Sequence, residues 1–168
     1  MPKATHVAVL VNPTGRNTES TLKELEAAAQ TMGLQVLVLN ASTSGEINEA
    51  FATLVREHSD ALFVFPDVLF ASRRVHIVTL AARYIVPATY AQREYVEAGG
   101  LMSYGSNLTD VFHQVGVYTG RILQGAKPAD LPVVQSSKFE LVINAETARM
   151  LGLTVPPSLL ATSDQVIQ

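Results

Sequence analysis

The sequence predicts an α/β fold built on a doubly wound parallel sheet. Three observations carry this reading. Short valine-rich apolar runs at 6–11, 34–39 and 61–65 have the length and composition of strands buried on both faces. Longer segments between them place apolar residues at helical spacing. Proline and glycine stand at the junctions, where they end a ladder or a helix. Strand–helix alternation of this kind closes through right-handed crossovers into an open sheet with helices on both faces.

Each element follows from local chemistry. The run from His6 to Val11 is the first strand, ended by Asn12-Pro13-Thr14-Gly15. Asn17 or Thr18 caps a helix whose Leu22, Leu25, Ala29 and Met32 share one face, with Gly33 as its left-handed terminator. Leu34 to Leu39 is the second strand. Ser44 caps a second helix that turns Ile47, Phe51, Leu54 and Val55 inward. Ala61 to Phe65 is the third strand, stopped by Pro66, and one helix from about Ala71 to Tyr84 follows. A short strand at Pro87–Tyr90, one or two helical turns in Gln92–Ala98 and a strand at Leu101–Tyr104 come next. Asn107 caps a long helix with Leu108, Val111, Phe112, Val115, Tyr118 and Ile122 inward, closed by Gly125. Pro128 and Pro132 frame a linker. Lys138–Ile143 then alternates as a strand, Ala145–Leu151 is a short helix, and the tail carries a second short helical piece. The expected organisation is an α/β ligand-binding lobe over 1–132 and a C-terminal arm over 133–168.

Composition bounds the function. A chain of 168 residues with 48% apolar and 16% charged residues folds around a full core as one domain. No apolar run approaches the ~18 residues a membrane helix needs. A formal charge of -3 gives no basic excess for a nucleic-acid partner. The absence of cysteine excludes disulfides, thiolate metal sites and a cysteine nucleophile. The first residues carry no export signal.

In an open α/β sheet, ligands bind beyond the carboxyl ends of the strands. That rule selects Asn12, Thr14 and Gly15 after the first strand and Asp67 after the third. It selects Tyr90, Arg93 and Glu94 after the fourth strand, and Tyr104, Ser106 and Asn107 after the fifth. Amides, hydroxyls, a cation, carboxylates and aromatics together suit a small polar or zwitterionic ligand. Asn12 also reads as a turn residue, Asn107 as a helix cap, and Asp67 as a cap after its proline. The four histidines have no i,i+4 pairing, so no metal site is expected. G-x-S-x-G, G-x-G-x-x-G and the Walker A pattern are absent, and no enzymatic role is expected. Gly99-Gly100 reads as a tight turn.

The loop from Asn12 to Asn17 resembles the T-x-T-G-x-T phosphate loop of flavodoxins, with asparagine at its first and last hydroxyl positions. A flavodoxin-like, FMN-binding electron carrier is therefore the alternative reading. A response-receiver domain ranks last, because no acidic cluster follows the first strand.

A second resemblance covers essentially the whole chain. Its carriers are VAVLVNPT at 7–14, LKELEAAAQTMGLQ at 22–35 and DALFVFPDVLFASRR at 60–74. They continue with ARYIVPATYAQREYVEAGGLMSYGSNLTDVF at 82–112 and ILQGAKPADLPVVQSSKFELVINAETARMLGLTVPPSLL at 122–160. These stretches resemble the C-terminal lobe of ABC-transporter substrate-binding proteins of the tryptophan/tyrosine-binding type, within the type I periplasmic binding protein fold. The resemblance implies a flavodoxin-like lobe binding an amino-acid-like solute without a cofactor. The implied cleft residues are Asn12, Asp67 and Tyr90, joined by Arg93, Glu94 and Tyr104. It implies an ABC permease as partner and a periplasmic or extracytoplasmic location, or a cytoplasmic one if this chain is the whole product. It also implies that the arm at 133–168 is made to pack on another lobe. The free edge of its strand then leads us to expect a homodimer through that arm.

Overall fold

The computed structural model describes residues 4–15, 18–134 and 138–168. The elements in chain order are β1 (His6–Val11), α1 (Thr18–Thr31), β2 (Gln35–Asn40), α2 (Ser44–Arg56) and β3 (Ala61–Val64). They continue with α3 (Val68–Ser72), α4 (Arg74–Arg83), β4 (Ala88–Tyr90), α5 (Arg93–Glu97), β5 (Met102–Ser106) and α6 (Leu108–Leu123). The chain closes with β6 (Phe139–Asn144), α7 (Ala145–Met150), α8 (Pro157–Thr162) and β7 (Gln165–Ile167).

One seven-stranded sheet has the order β2-β1-β3-β4-β5-β6-β7. β1 to β5 are mutually parallel, β6 runs antiparallel to β5, and β7 is parallel to β6. The chain winds outward from β1 in both directions, so the switch point lies between β1 and β3. The expected fold class is what the chain adopts. The main core lies on one face, where Leu10, Leu62, Val64 and Tyr90 meet Ile47, Phe51 and Leu54 of α2 and Ile77 and Ala81 of α4.

Local chemistry explains most boundaries. α1 ends at Gly33, whose φ of +69° is left-handed. Asn17 lies outside the described residues. Thr18 is the first residue of the helix, buried, with its hydroxyl donating to the Asn12 carbonyl at 2.9 Å. Thr43, not Ser44, caps α2 by accepting the Glu46 N–H, while the Glu46 carboxylate takes the Ser42 N–H in return. The expected single helix at 71–84 is two, α3 and α4, broken at Arg73 where φ is −107° and ψ is 15°. Gly99 has φ +100°, and a Cβ on Gly100 would stand 2.6 Å from the Tyr90 ring. The turn expected there therefore also lets the backbone close over Tyr90.

The C-terminal region departs most from expectation. β6 is an interior strand, paired on both edges, and Leu141, Val142 and Ile143 are buried in their own sheet. It has no free edge to offer another chain. β7, which carries no pattern distinguishable from the tail, completes the sheet. The opposite holds for α6. None of its residues is buried, and Phe112, Val115 and Ile122 are exposed where an inward face was expected. Met32 and Val55 are likewise exposed at the margins of their stripes. Among the described residues, no helix is long and apolar enough to cross a membrane.

Candidate functional site

Asn12 and Asp67 meet at the switch point. β1 delivers Asn12 and β3 delivers Asp67, and the Asn12 Nδ2 lies 3.3 Å from both Asp67 carboxylate oxygens. Asn12 Oδ1 accepts from the Thr14 N–H at 3.1 Å and from its hydroxyl at 2.8 Å. The Asn12 carbonyl accepts the Gly15 N–H at 3.1 Å, and the Thr18 hydroxyl closes on the same oxygen. Asp67 also caps α3, taking the Leu69 N–H at 2.8 Å. The turn and cap roles weighed for these two residues are therefore both present, and the same groups hold one carboxylate at the strand ends.

A second polar cluster stands beside the end of β5, drawn from α5, β6 and β7. The Arg93 guanidinium pairs with Glu97 at 2.9 Å and Glu140 at 3.1 Å, and donates to Gln165 Oε1 at 2.6 Å. Asn107 caps α6 through the Asp110 N–H and donates to the same Glu140 oxygen at 3.1 Å. Glu97, then Glu140, hold the Arg93 pKa above its ordinary value. This cation is engaged on three sides and ties α5 to β6 and β7. Glu140, with 12% of its side chain exposed, is the hub that sequence reasoning missed. Its only signal was a charged position within an alternating strand.

Tyr90 and Tyr104 are not brought together. Tyr90 pairs in register with Ser103, so it shares a sheet face with Ser103, and Tyr104 points to the other face. Tyr90 is 1% exposed and stacks on Tyr95 with ring centroids 4.5 Å apart. Burial, then the charge of Tyr95, raises its pKa. Tyr104 is exposed and stacks on Phe139 at 5.8 Å. Of the implied cleft residues, Tyr90 and Tyr104 therefore lie on opposite faces of the sheet. Tyr95, the partner of Tyr90 in its stack, is also buried. Its pKa is raised by burial first and then by Asp67 and Glu94, with Arg74 opposing. Glu94 carries a buried Oε2 with no hydrogen-bond partner, as do the Tyr90 and Ser103 hydroxyls. Thr14 is exposed beside Asn12, with Ser106 partly exposed at the end of β5.

The arrangement offers acceptors for a donor-bearing ligand at the β1 and β3 ends. No group of His, Cys, Asp and Glu among the described residues is placed to hold a metal ion. The Thr14 and Gly15 amides that a flavin phosphate would need are bonded to Asn12. Two apolar hollows lie away from this end. Val78, Ala81, Gly100 and Leu151 line one, and Leu101, Ile143, Leu153 and Leu159 line the other.

A mostly parallel seven-stranded sheet with helices around it is the architecture of an α/β domain of the periplasmic-binding-protein type. The chain belongs to the family of ABC transporter substrate binding proteins, which matches residues 1–167. It is 26% identical over 152 residues to a tyrosine-binding protein of Clostridioides difficile, covering 90% of this chain and 44% of that protein. A conserved domain protein of Vibrio cholerae superposes with a TM-score of 0.89 at 28% identity, over 99% of this chain and 56% of its own. An ABC domain from Streptococcus pneumonia, solved in complex with L-Trp, superposes at 0.87 with 30% identity, over 99% and 58%. The chain thus spans about half the length of the relatives it matches.

Proposed function

We propose that this chain is the solute-binding half of an ABC import receptor, taking an amino-acid-like ligand at the Asn12–Asp67 pair and acting outside the cytoplasm with an ABC permease. The observation that carries the reading is the Asn12–Asp67 contact across the switch point, a carboxylate oriented by an amide where this fold class binds ligands. Relatives named for tyrosine binding and solved with L-Trp support an amino-acid ligand. The α-ammonium is the group that Asp67 is suited to receive, with the Asn12 amide orienting the carboxylate. Arg93 has three of its five N–H groups taken by Glu97, Glu140 and Gln165, and the two that remain are the donors it would offer a ligand carboxylate. No catalytic step is assigned.

The flavin-carrier reading gains nothing from the relatives, and the engaged loop amides oppose it. Asp67→Asn tests the proposal, since asparagine keeps the α3 cap but loses the charge. We expect unchanged folding and at least about tenfold weaker binding of L-tryptophan or L-tyrosine, close to the 1.4 kcal/mol of one charge-assisted bond. Equal binding by the variant would contradict the assignment.

A further inference from the structure

We propose that Glu140 is a positioning residue for ligand binding: it holds the Arg93 guanidinium so that the unengaged N–H groups are presented to the carboxylate of an amino-acid ligand. The inference rests on the reading of Asp67 as the ammonium acceptor and adds the other half of the recognition.

Strand register puts the two charges on neighbouring exits. Leu10 of β1 pairs with Val64 of β3, and Val64 pairs with Tyr90 of β4. Asp67 and Arg93 each stand three residues beyond that row, where adjacent parallel strands end. An α-amino acid carries its ammonium and carboxylate on one carbon. It therefore calls for an anion and a cation from one neighbourhood. The exit of β3 supplies the anion, and the exit of β4 supplies the cation.

Glu140 meets this cation from β6. Gly105 lies between them: it pairs in register with Glu140, and a Cβ on it would collide with the Ala91 carbonyl. Glycine there lets the chain entering α5 close on β5, which brings Arg93 within reach of β6. Arg93 Nη1 donates to Glu140 Oε2 at 3.1 Å, and the Glu140 side chain is only 12% exposed. Asn107 donates to the same oxygen at 3.1 Å while its own Oδ1 caps α6. Glu140 is thus fixed by the fold itself. Nε and Nη2 go to Glu97 and Gln165, so three acceptors set the guanidinium plane and one N–H remains on each of Nη1 and Nη2. A guanidinium held in this way loses little freedom when a carboxylate joins it. Glu97 is 48% exposed, so solvent screens its charge against an incoming carboxylate. The covered Glu140 is the member that sets orientation.

NMR titrations with L-tryptophan and with tryptamine, which lacks only the carboxylate, test this. We expect the wild-type chain to prefer L-tryptophan by at least about tenfold. Glu140→Leu should reduce that preference to less than about threefold while leaving tryptamine affinity within about threefold of wild type. Glu140→Gln keeps an acceptor for Arg93 and Asn107 and should retain most of the preference. Gln165→Met, on exposed β7, frees Nη2 and should lower the preference by about threefold with the thermal midpoint unchanged. In Asp67→Asn both ligands should weaken together and the preference persist, which separates the two ends of the site. An unchanged preference in Glu140→Leu overturns the proposal, as does a wild-type chain that binds both ligands alike. Equal loss of both ligands in Glu140→Leu also overturns it, because the residue would then serve folding alone. A chain with no saturable response to either ligand defeats the Asp67 reading beneath it, and this proposal with it.

Discussion

The Asp67 carboxylate is shared between the Leu69 amide of its own helix and the Asn12 amide of β1. One side chain thus links a fold-building cap to the candidate site, which is why Asp67 reads as either from the sequence. Other single residues reveal local cost. Ile85 has φ +56°, a left-handed conformation that a β-branched residue adopts only under strain, and it is exposed. Replacing Ile85 with glycine should stabilise the chain by about 0.5–1 kcal/mol, read as a rise of about 1–3 °C in thermal midpoint. Asp60 accepts the Thr5 and His6 N–H groups at the entry to β1, and those bonds, His6 first, lower its pKa. A lowered folded-state pKa stabilises above the unfolded value, about 3.9, and that stabilisation is lost as pH falls through the folded one. Wild type should therefore be more stable than Asp60→Asn near neutral pH, with the difference vanishing toward pH ~2. A constant difference across a pH series of melts would contradict it.

Elements obey pattern where the pattern concerns their own sheet. Valine-rich β1 could be read directly, because burial on both faces leaves a continuous apolar run; β6 reads as alternating, yet Leu141, Val142 and Ile143 are buried in succession, on both of its faces. Arg73 escaped notice because no proline or glycine marks the break between α3 and α4. The α6 stripe was seen correctly as apolar, but periodicity does not say which body covers it. The candidate site was half readable: the strand-end rule selects Asn12 and Asp67, which the structure places in contact, whereas the facing of Tyr90 and Tyr104 depends on register, which the sequence did not supply. Two element-scale tests follow. A Cβ on Gly105 would collide with the Ala91 carbonyl where β5 passes the end of β4, so Gly105→Ala should cost about 1–3 kcal/mol in chemical denaturation. Arg93→Met should leave the largely covered Glu140 with only the Asn107 amide and loosen β6 and β7 from α5. The expected loss is about 1–2 kcal/mol, with faster hydrogen exchange at 164–167 than elsewhere.

At the scale of the whole molecule, the proposed half-site fixes an expected affinity, since the chain spans about half the length of its relatives. A receptor that binds at about micromolar strength spends near -8 kcal/mol on its ligand, and half of those contacts leave about -4 kcal/mol, or roughly millimolar. This chain alone should therefore hold an aromatic amino acid weakly and at one place. The decisive measurement is a residue-resolved NMR titration of the chain with L-tryptophan and L-tyrosine. Saturable shifts confined to residues 12–15, 67–69 and 93–95, with a midpoint of about a millimolar and loss of the response in Asp67→Asn, are expected. Shifts centred instead on the hollow lined by Val78 and Leu151, or tight binding to a monomer indifferent to Asp67→Asn, would contradict a half-site at the β1 and β3 ends.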